Sequence, residues 1–573
     1  MLAFSSQPDD TASIAYFSME VGLDPAMYTY SGGLGVLSAD TLRAAADLGL
    51  PMVAVTLLHR NGYFRQHLDT AGNQTESEAD WVPEKFLSLL PIRVIVPISR
   101  RPVQVQAWRY LLRGNSGHVV PVLFLDTAIP ENSAEDRELT GRLYGGDDRY
   151  RLCQEVVLGM GGVAMLRALG YRKMQAYHMN EGHSALAGVA LIEEQTWGRS
   201  LGSASEEDRE AVRRHLVFTT HTPVSAGQDG FPVGLVRDVL GDERANFLVE
   251  SNCCPGGILN MTRLALESSG YFNGVSMRHE EVSRGMFAEY SIEAVTNGVH
   301  AGYWASPHMA ALFDKYIPEW KRDNHYLRYA ISIPTDEIWH YHAKAKADFV
   351  DEVERRTGTR LNKGIMTIGF ARRATAYKRT DLLFSDLERL KRIYRNVGPF
   401  QIVCGGKAHP KDEGGKALIR RIHEAARALG GDIPVVYLEE YDIALGKYLC
   451  SGVDLWLNTP QRPMEASGTS GMKAALNGIP SLSILDGWWI EGHIEGVTGW
   501  SIGDGWSETP STDDATSLYD KLEYLILPMF YNRPAAFSSV MRSCIALNGS
   551  YFNAQRMVMQ YVQNAYSPGG NGR

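Results

Sequence analysis

The chain has 573 residues, a length that predicts two or three hydrophobic cores and excludes a small binding module. Hydrophobic residues make up 44% and charged residues 21% of the sequence, and its 56 glycines and 25 prolines are spread along the chain, so disorder and fibrous repeats are not expected. The formal net charge of −9 supplies no general positive field, and we expect neither nucleic acid nor a membrane as a partner.

Cysteine usage and the N-terminus indicate the compartment. None of the six cysteines belongs to a pair spaced like zinc ligands, so we expect no metal site and a reducing environment. Residues 1–10 lack the basic stretch and the apolar run of a signal peptide, and no uncharged run of about 18 apolar residues follows later. We therefore expect a cytoplasmic protein.

Predicted strands and helices alternate from end to end, which indicates an α/β fold with parallel sheets. Short β-rich runs predict strands over residues 14–17, 52–55, 217–220, 366–370, 401–404 and 434–438. Helical periodicity predicts helices over residues 40–48, 154–169, 338–356, 382–393 and 416–429. Two polar stretches, residues 67–80 and 141–149, are predicted to be mobile surface loops. Glycine and proline between Thr296 and Pro307 place a domain boundary near residue 300.

A glycine-rich turn, YSGGLG at residues 30–35, precedes a helical run over residues 37–48. Such a turn lets backbone N–H groups approach an anion closely, and the helix dipole favours negative charge there. A tight strand-to-helix turn without any ligand would have the same sequence, so both interpretations stay open at this point.

A cationic cluster, RRATAYKR at residues 372–379, follows directly after a predicted buried strand. Four cations so close together would repel one another unless an anion were bound among them, and the carboxyl ends of such strands are where ligands bind. Arginine forks and a lysine suit phosphate oxygens, which predicts a site for more than one phosphate. The alternative is a solvated run of charges.

A third motif, PMEASGTSGMKAALNG at residues 463–478, is a turn of small residues that opens a helix. Lys473 lies in this helix among apolar neighbours, so burial would penalise its charge, and a Schiff base with an aldehyde would relieve that penalty. The alternative is a lysine whose ammonium group reaches solvent from a packed helix.

Together with HTP at residues 221–223, these motifs resemble the glycogen and α-glucan phosphorylase family, specifically its shorter prokaryotic type. Further matches follow in order along the chain: YFSME at 16–20, NEGH at 180–183, NGVS at 273–276, TNG at 296–298, GGK at 405–407 and LDG at 485–487. The resemblance implies GT-B architecture, in which two Rossmann-like domains face each other across a cleft. Residues 1–300 would form the glucan domain and residues 301–573 the cofactor domain.

The resemblance also implies residue roles. Lys473 would form a Schiff base with pyridoxal 5'-phosphate, whose phosphate would be held by Arg372, Lys378 and the amides from Thr469 onward, with Tyr441 and Trp304 nearby. Arg373, Lys378 and the amide of Gly33 would bind the substrate phosphate. Glucose would be held through its hydroxyls by His221, Asn297, Glu465, Ser467 and Gly468, and Tyr377 is the second active-site tyrosine. Lys473, Arg373, Lys378 and His221 would be the catalytic set.

The implied reaction is reversible phosphorolysis of the terminal α-1,4 bond of a glucan (glycogen, starch or maltodextrin), which yields α-glucose 1-phosphate with retained configuration. Family members commonly dimerise or assemble further, so a homo-oligomer is possible. This chain departs from many members in having Thr375-Ala376 in place of His-Glu and Arg372 in place of lysine.

Two other functions remain as alternatives. One is a nucleotide-sugar glycosyltransferase of the glycogen or starch synthase kind, which shares the architecture and a Gly-Gly-Leu-Gly turn. Those enzymes place a second glutamate eight residues after the first, where this chain has Lys473 after Glu465. The other is a glucan-binding protein that has kept the fold and lost catalysis.

Overall fold

The computed structural model describes residues 12–224, 228–503 and 513–567. Two sheets built mainly from parallel strands organise these residues, which confirms the predicted α/β class. Residues 1–10, from which a leader peptide was judged absent, lie outside the described part.

Nine of the described strands form the first sheet, in the order β13-β12-β9-β8-β1-β2-β7-β6-β5, and six form the second, in the order β16-β15-β14-β17-β18-β19. The first sheet is parallel except at β5 and β6, and the second is parallel throughout. The strands are β1 (Ile14–Ser18), β2 (Met52–Leu57), β3 (Arg65–Leu68), β4 (Gln74–Ser77), β5 (Ser88–Ile98), β6 (Arg101–Arg113), β7 (Val119–Asp126), β8 (Ala176–Asn180), β9 (Leu216–Thr219), β10 (Gly230–Pro232), β11 (Ile258–Asn260), β12 (Tyr271–Gly274), β13 (Glu293–Ala294), β14 (Met366–Ala371), β15 (Phe400–Gly405), β16 (Val435–Leu438), β17 (Leu455–Asn458), β18 (Ser481–Ile484) and β19 (Gly499–Ile502).

All six predicted strands are confirmed, as β1, β2, β9, β14, β15 and β16. Five of these strands are buried along their whole length or nearly so, because helices cover both faces of a parallel sheet. Their continuous apolar runs are therefore readable from sequence.

Helices cover the two sheets. They are α1 (Gly33–Asp47), α2 (Ala134–Arg137), α3 (Asp148–Val156), α4 (Gly162–Ala168), α5 (Leu186–Gln195), α6 (Glu206–Arg213), α7 (Val233–Leu240), α8 (Asp242–Glu250), α9 (Met261–Ser268), α10 (Met277–Met286), α11 (Ala301–Trp304), α12 (Pro307–Tyr316), α13 (Thr335–Thr357), α14 (Leu387–Asn396), α15 (Glu413–Leu429), α16 (Ile443–Gly452), α17 (Thr469–Leu476), α18 (Trp489–Gly492), α19 (Asp514–Asp520), α20 (Leu527–Asn532), α21 (Pro534–Ser543) and α22 (Ala554–Tyr561). No helix in the three described ranges combines the length and the apolar character needed to cross a membrane.

Two local predictions are wrong. Residues 67–80 are not a loop throughout, because they include the end of β3 and all of β4, which pair as an antiparallel hairpin over residues 65–77 with Gln66 and Gln74 buried. The helix predicted from residue 382 begins at Leu387 instead, after a separate 3₁₀ turn, because the Asp386 carboxylate caps it by accepting a hydrogen bond from the Arg389 amide. The predicted helix over residues 154–169 is continuous, with a π-helical turn between α3 and α4.

The C-terminal segment returns to the first sheet. Helix α22 packs in the same hydrophobic cluster as β1 and α1. The Tyr566 hydroxyl lies 2.5 Å from Nδ1 of His178, and Asn273 Nδ2 donates to the Tyr561 hydroxyl at 3.0 Å. The boundary near residue 300 stays a prediction, and a division made there would have to place α22 with the first sheet.

Candidate active site

A cavity of about 340 Å³ lies where segments from the two sheets meet. Its walls are formed by segments that come directly after strands of both sheets. The 221–223 motif comes after β9, and the cationic cluster comes after β14. The Tyr30 hydroxyl accepts a hydrogen bond from the Ile443 amide at 3.0 Å, which joins the two walls. Every site residue proposed from sequence lines this cavity: Gly33, His221, Asn297, Trp304, Arg372, Arg373, Tyr377, Lys378, Tyr441, Glu465, Ser467, Gly468, Thr469 and Lys473.

The glycine-rich turn is anchored by Glu20, a residue to which the sequence assigned no role. The Ser31 and Gly32 amides donate to Glu20 Oε2, and the Tyr144 hydroxyl donates to Oε1 at 3.1 Å. Two amides of the turn are therefore occupied by the protein's own carboxylate. A Cβ built on Gly33 would meet no atom within 4 Å, so there is open space beside the first turn of α1. The remaining N–H groups of that turn can bind a ligand there.

Internal carboxylates pair with three of the four cations in the cluster. Lys378 Nζ donates to both carboxylate oxygens of Glu465, at 2.7 and 2.8 Å, and Arg372 pairs with the same carboxylate. Burial raises the pKa of Glu465, but the charges of Arg372 and Lys378 outweigh it and lower that pKa to about 2. Arg379 pairs with Asp514 at 2.8 Å. Each of these three cations therefore has a carboxylate partner within the chain, but Glu465 is shared by two cations and Asp514 also pairs with Arg462, so positive charge remains and a bound anion stays a prediction.

Arg373 is the exception in the cluster. Its side chain makes no hydrogen bond or ion pair with any residue in the described ranges, and it is exposed to the cavity. A Cβ on Gly32 would lie 3.2 Å from its Nη2, so the guanidinium lies against the glycine-rich turn. A cation beside the N-terminus of α1 is the arrangement that binds a phosphate or another oxyanion.

Lys473 is a buried amine on α17. Its Nζ lies 4.0 Å from the centroid of the Trp304 ring and has no hydrogen-bond or ion-pair partner within the described part of the chain. Burial lowers the pKa of the Lys473 ammonium against a smaller opposing effect of the Asp40 charge. Trp304 is fixed in turn, because its Nε1 donates to Asp40 Oδ2 at 2.8 Å. An unpaired amine of lowered pKa suits reaction with an aldehyde.

The N-terminus of α17 faces the same cavity. Gly468 precedes the helix with a φ of 88° and provides no side-chain cap, so the amides of Thr469 and Ser470 are free to bind an anion. The preceding loop is held by Asp486, whose carboxylate accepts hydrogen bonds from the Glu465 and Gly487 amides, both at 2.9 Å. Lys473 and this helix start together fit a cofactor that carries an aldehyde and a phosphate.

Three buried polar atoms at the cavity lack a partner among the described residues: Asn297 Oδ1, Ser467 Oγ and Arg372 Nε. Buried polar groups are nearly always hydrogen-bonded, so these atoms point to a polar ligand. Sugar hydroxyls suit Asn297 Oδ1 and Ser467 Oγ, and an anion oxygen suits the Arg372 Nε donor.

His221 stays neutral at physiological pH. Burial, with smaller effects from neighbouring histidines, lowers the pKa of His221 to about 3. Its Nε2 lies 2.6 Å from Asn180 Oδ1, and its backbone amide donates to Glu181 Oε2 at 2.7 Å. Glu181, which lies in the NEGH match at residues 180–183, therefore shapes the backbone of the 221–223 motif.

A second cavity of about 500 Å³ adjoins the first and shares Ser31, His221 and Arg373 with it. Asp229 and His183 line this cavity, and the Asp229 carboxylate pairs with Arg151 as well as with His183. The two cavities share part of their lining, and together they offer more room than one sugar residue requires.

Sequence comparisons agree with the site. A model of the carbohydrate phosphorylase family matches residues 252–496. The chain is 38% identical to a maltodextrin phosphorylase of Thermococcus litoralis, an alignment that covers 97% of this chain and 70% of the relative. It is 36% identical to a glycogen phosphorylase of Mycobacterium tuberculosis (97% and 71% covered) and 34% identical to one of Aquifex aeolicus (97% and 86% covered). The chain therefore belongs to the carbohydrate phosphorylase family.

Proposed function

We propose that this protein is an α-glucan phosphorylase, which uses inorganic phosphate to split the terminal α-1,4 bond of glycogen, starch fragments or maltodextrin. The product is α-glucose 1-phosphate, formed reversibly and with retained configuration. One observation carries the proposal: an unpaired cation, Arg373, and an unpaired buried amine, Lys473, share a single cavity with partnerless polar atoms. The relatives named as maltodextrin and glycogen phosphorylases support the same activity.

The two sheets fit GT-B architecture, with two Rossmann-like domains facing across a cleft. The proposed boundary lies near residue 300, with the first unit also taking α22. This arrangement explains why residues far apart in sequence, such as Gly33 and Lys473, line one cavity.

The proposed cofactor is pyridoxal 5'-phosphate attached to Lys473. The free amides of Thr469 and Ser470 would hold its phosphate together with Arg372 and Lys378, while Tyr441 and Trp304 would border it. When bound, the cofactor would supply a phosphate group that exchanges a proton with the substrate phosphate. Glu465 pairs with both Arg372 and Lys378, the two side chains that would hold the phosphate. When the cofactor binds, these side chains would either contact Glu465 and the phosphate together or leave Glu465 for the phosphate.

Arg373 would bind the substrate phosphate together with Lys378 and the amide of Gly33. The Arg373 guanidinium needs no rearrangement to bind phosphate, because no carboxylate of the described residues pairs with it. Cations placed in advance stabilise the charge that develops on phosphate as the glycosidic bond breaks.

The glucosyl unit would be held by groups that the structure leaves without partners. Asn297 Oδ1 would accept a hydrogen bond from one of its hydroxyls, and Ser467 Oγ would donate to or accept from another, beside Gly468 and Tyr377. If the Nε2 proton of His221 is donated to Asn180, its Nδ1 can accept from another hydroxyl. The rest of the glucan would extend into the adjoining cavity.

The deciding experiment offers the purified protein a maltodextrin together with glucose 1-phosphate, ADP-glucose or UDP-glucose. We expect chain extension and release of inorganic phosphate with glucose 1-phosphate alone, and phosphate-dependent degradation in reverse. Extension from a nucleotide sugar at a comparable rate would instead support a synthase. Maltodextrin binding without turnover of any donor would support a glucan-binding protein. A cytoplasmic location and a homo-oligomer remain predictions.

A further inference from the structure

The β3–β4 hairpin makes a buried polar contact with loops of the second sheet. Gln66 Nε2 donates to the Gly406 carbonyl at 2.9 Å, and the Glu440 amide donates to Gln66 Oε1 at 3.0 Å. Gln74 makes two hydrogen bonds with the backbone of Ala408. Its Nε2 donates to the Ala408 carbonyl at 2.8 Å, and its Oε1 accepts from the Ala408 amide at 3.0 Å. The partners lie more than 330 residues away in sequence.

The two glutamines also bind each other. Gln66 Nε2 donates to Gln74 Oε1 at 2.9 Å, and the side chains are only 1% and 6% exposed. Every donor and acceptor of the two amides is used, and a fully satisfied buried network holds its parts rigidly. Glu440 has a left-handed backbone (φ 55°), a conformation that non-glycine residues keep only when their surroundings enforce it.

The loop that the glutamines contact, residues 405–408, supports the cationic cluster at residues 372–379, which lines the first cavity. The Arg372 amide donates to the Gly405 carbonyl at 3.1 Å, and the Ala374 amide donates to the Lys407 carbonyl at 3.0 Å. A Cβ on Gly406 would lie only 1.9 Å from the Arg372 carbonyl oxygen, so the two backbones are in close contact. Any shift of residues 405–408 is therefore transmitted to the segment that carries Arg373.

The hairpin tip fixes the position of the hairpin itself. A Cβ on Gly72 would clash with the His423 ring at 2.4 Å, and Arg427 donates to the Thr70 carbonyl at 3.1 Å. Lys416 pairs with Glu76 at 3.1 Å. The hairpin thus packs against α15 as well as against the loop after β15.

We propose that Gln66 and Gln74 are positioning residues for phosphate, acting through the 405–408 loop on Arg373. The inference rests on the proposed function, because it assigns Arg373 to the substrate phosphate. Neither glutamine lines either of the two cavities, so neither touches the substrate. His221 and Asn297, which are assigned to the glucosyl unit on the first-sheet side, make no contact with this network, and Tyr377 lies beyond the two backbone hydrogen bonds to the loop, so sugar binding should be affected far less than phosphate binding.

Gln66→Met and Gln74→Met test the proposal, since methionine keeps the length of glutamine and removes its hydrogen bonds. A displacement of about 1 Å in a binding group can cost on the order of 100-fold, and for a partial shift we expect the KM for phosphate to rise about tenfold. The KM for maltodextrin should change by less than about twofold. His67→Ala is the matched control, because His67 lies on the same hairpin with its side chain 53% exposed.

Amide exchange of residues 371–378, followed by mass spectrometry, gives a readout that does not depend on activity. We expect faster exchange at Arg372 and Ala374 in both methionine variants and wild-type exchange in His67→Ala. If Gln66→Met fails to fold, Gln74→Met is judged by the same two criteria.

The outcomes separate the two proposals. An active wild type whose folded variants keep the phosphate KM, or raise both KM values equally, overturns the positioning role alone. A wild type without any phosphate-dependent activity overturns the proposed function and this inference together. A selective rise in the phosphate KM with faster exchange supports both.

Discussion

Replacing Glu465 with glutamine removes the one carboxylate that pairs with two cations at the cavity. The substitution keeps the size of the side chain, so Arg372 and Lys378 would stay near each other with no counter-charge between them. Leaving buried charges unpaired is strongly unfavourable. Glu465→Gln should therefore destabilise the folded protein even if it leaves the backbone unchanged.

The magnitude follows from the pKa of Glu465. That pKa falls from its ordinary 4.5 to about 2. A tenfold change in proton affinity is worth about 1.4 kcal/mol, so the ionised carboxylate contributes about 3 kcal/mol to the free energy of unfolding. A lowered carboxyl pKa stabilises the folded state above the unfolded value. In the wild type this contribution is therefore complete above pH 4.5 and is lost as the pH falls towards 2.

The assay is thermal unfolding at neutral pH of protein freed of pyridoxal phosphate, whose phosphate would otherwise supply a counter-charge, in a buffer without multivalent anions. About 3 kcal/mol should lower the Tm by roughly 6–12 °C if the second sheet and its helices unfold as one unit. Glu388→Gln is the matched control, because this glutamate is exposed and its ion pair with Lys391 lies on the surface. Its Tm should move by no more than the small contribution of a surface pair.

Sulfate or phosphate should then restore much of the lost Tm in Glu465→Gln, because the anion can take the place of the carboxylate between Arg372 and Lys378. Chloride at equal ionic strength should not. A Tm equal to that of the Glu388→Gln control would refute the reasoning, and so would an anion effect of the same size in wild type and variant.

Arg373→Ala should raise the KM for phosphate by roughly 10–100-fold, the value of a charge-assisted contact of about 1.5–3 kcal/mol, while glucan affinity stays unchanged; equal losses of both would remove Arg373 from the phosphate site. Lys473→Ala should eliminate bound pyridoxal phosphate, measured by mass spectrometry of the intact chain, whereas Lys447→Ala should retain it although burial also lowers the pKa of Lys447, to about 8. Gly406→Ala should cost more than about 3 kcal/mol in urea unfolding, because its Cβ would overlap the Arg372 carbonyl. Gly431→Ala, with a positive φ but no atom within 4 Å, should cost about 1–2 kcal/mol, and equal costs would contradict the role of close contact at Gly406.

The sequence by itself determined the regular framework. The mainly apolar runs of β1, β14 and β15 are buried in parallel sheets, and such runs are visible without knowing what covers them. The motifs around Gly33, Arg373 and Lys473 could also be recognised, because each combines residue types that suit an anion or an aldehyde within a short stretch of chain.

Charge pairing around the cavity was decided only by the tertiary structure. Local sequence shows four cations after β14, but not that Glu465, 93 residues beyond Arg372, pairs with Arg372 and Lys378 and leaves Arg373 without a partner among the described residues. Glu20 likewise occupies two amides of the glycine-rich turn from the end of β1. An ion pair depends on distance in space, which no local pattern reports.

The β3–β4 hairpin shows the same limit most clearly. Its polar composition predicts an exposed loop, yet Gln66 and Gln74 are buried because Gly406, Ala408 and Glu440 satisfy their amides. Burial of apolar groups follows from their own chemistry and so leaves a periodic signal in sequence. Burial of a polar group depends on a partner that the fold brings from elsewhere in the chain, and only the folded structure supplies that partner.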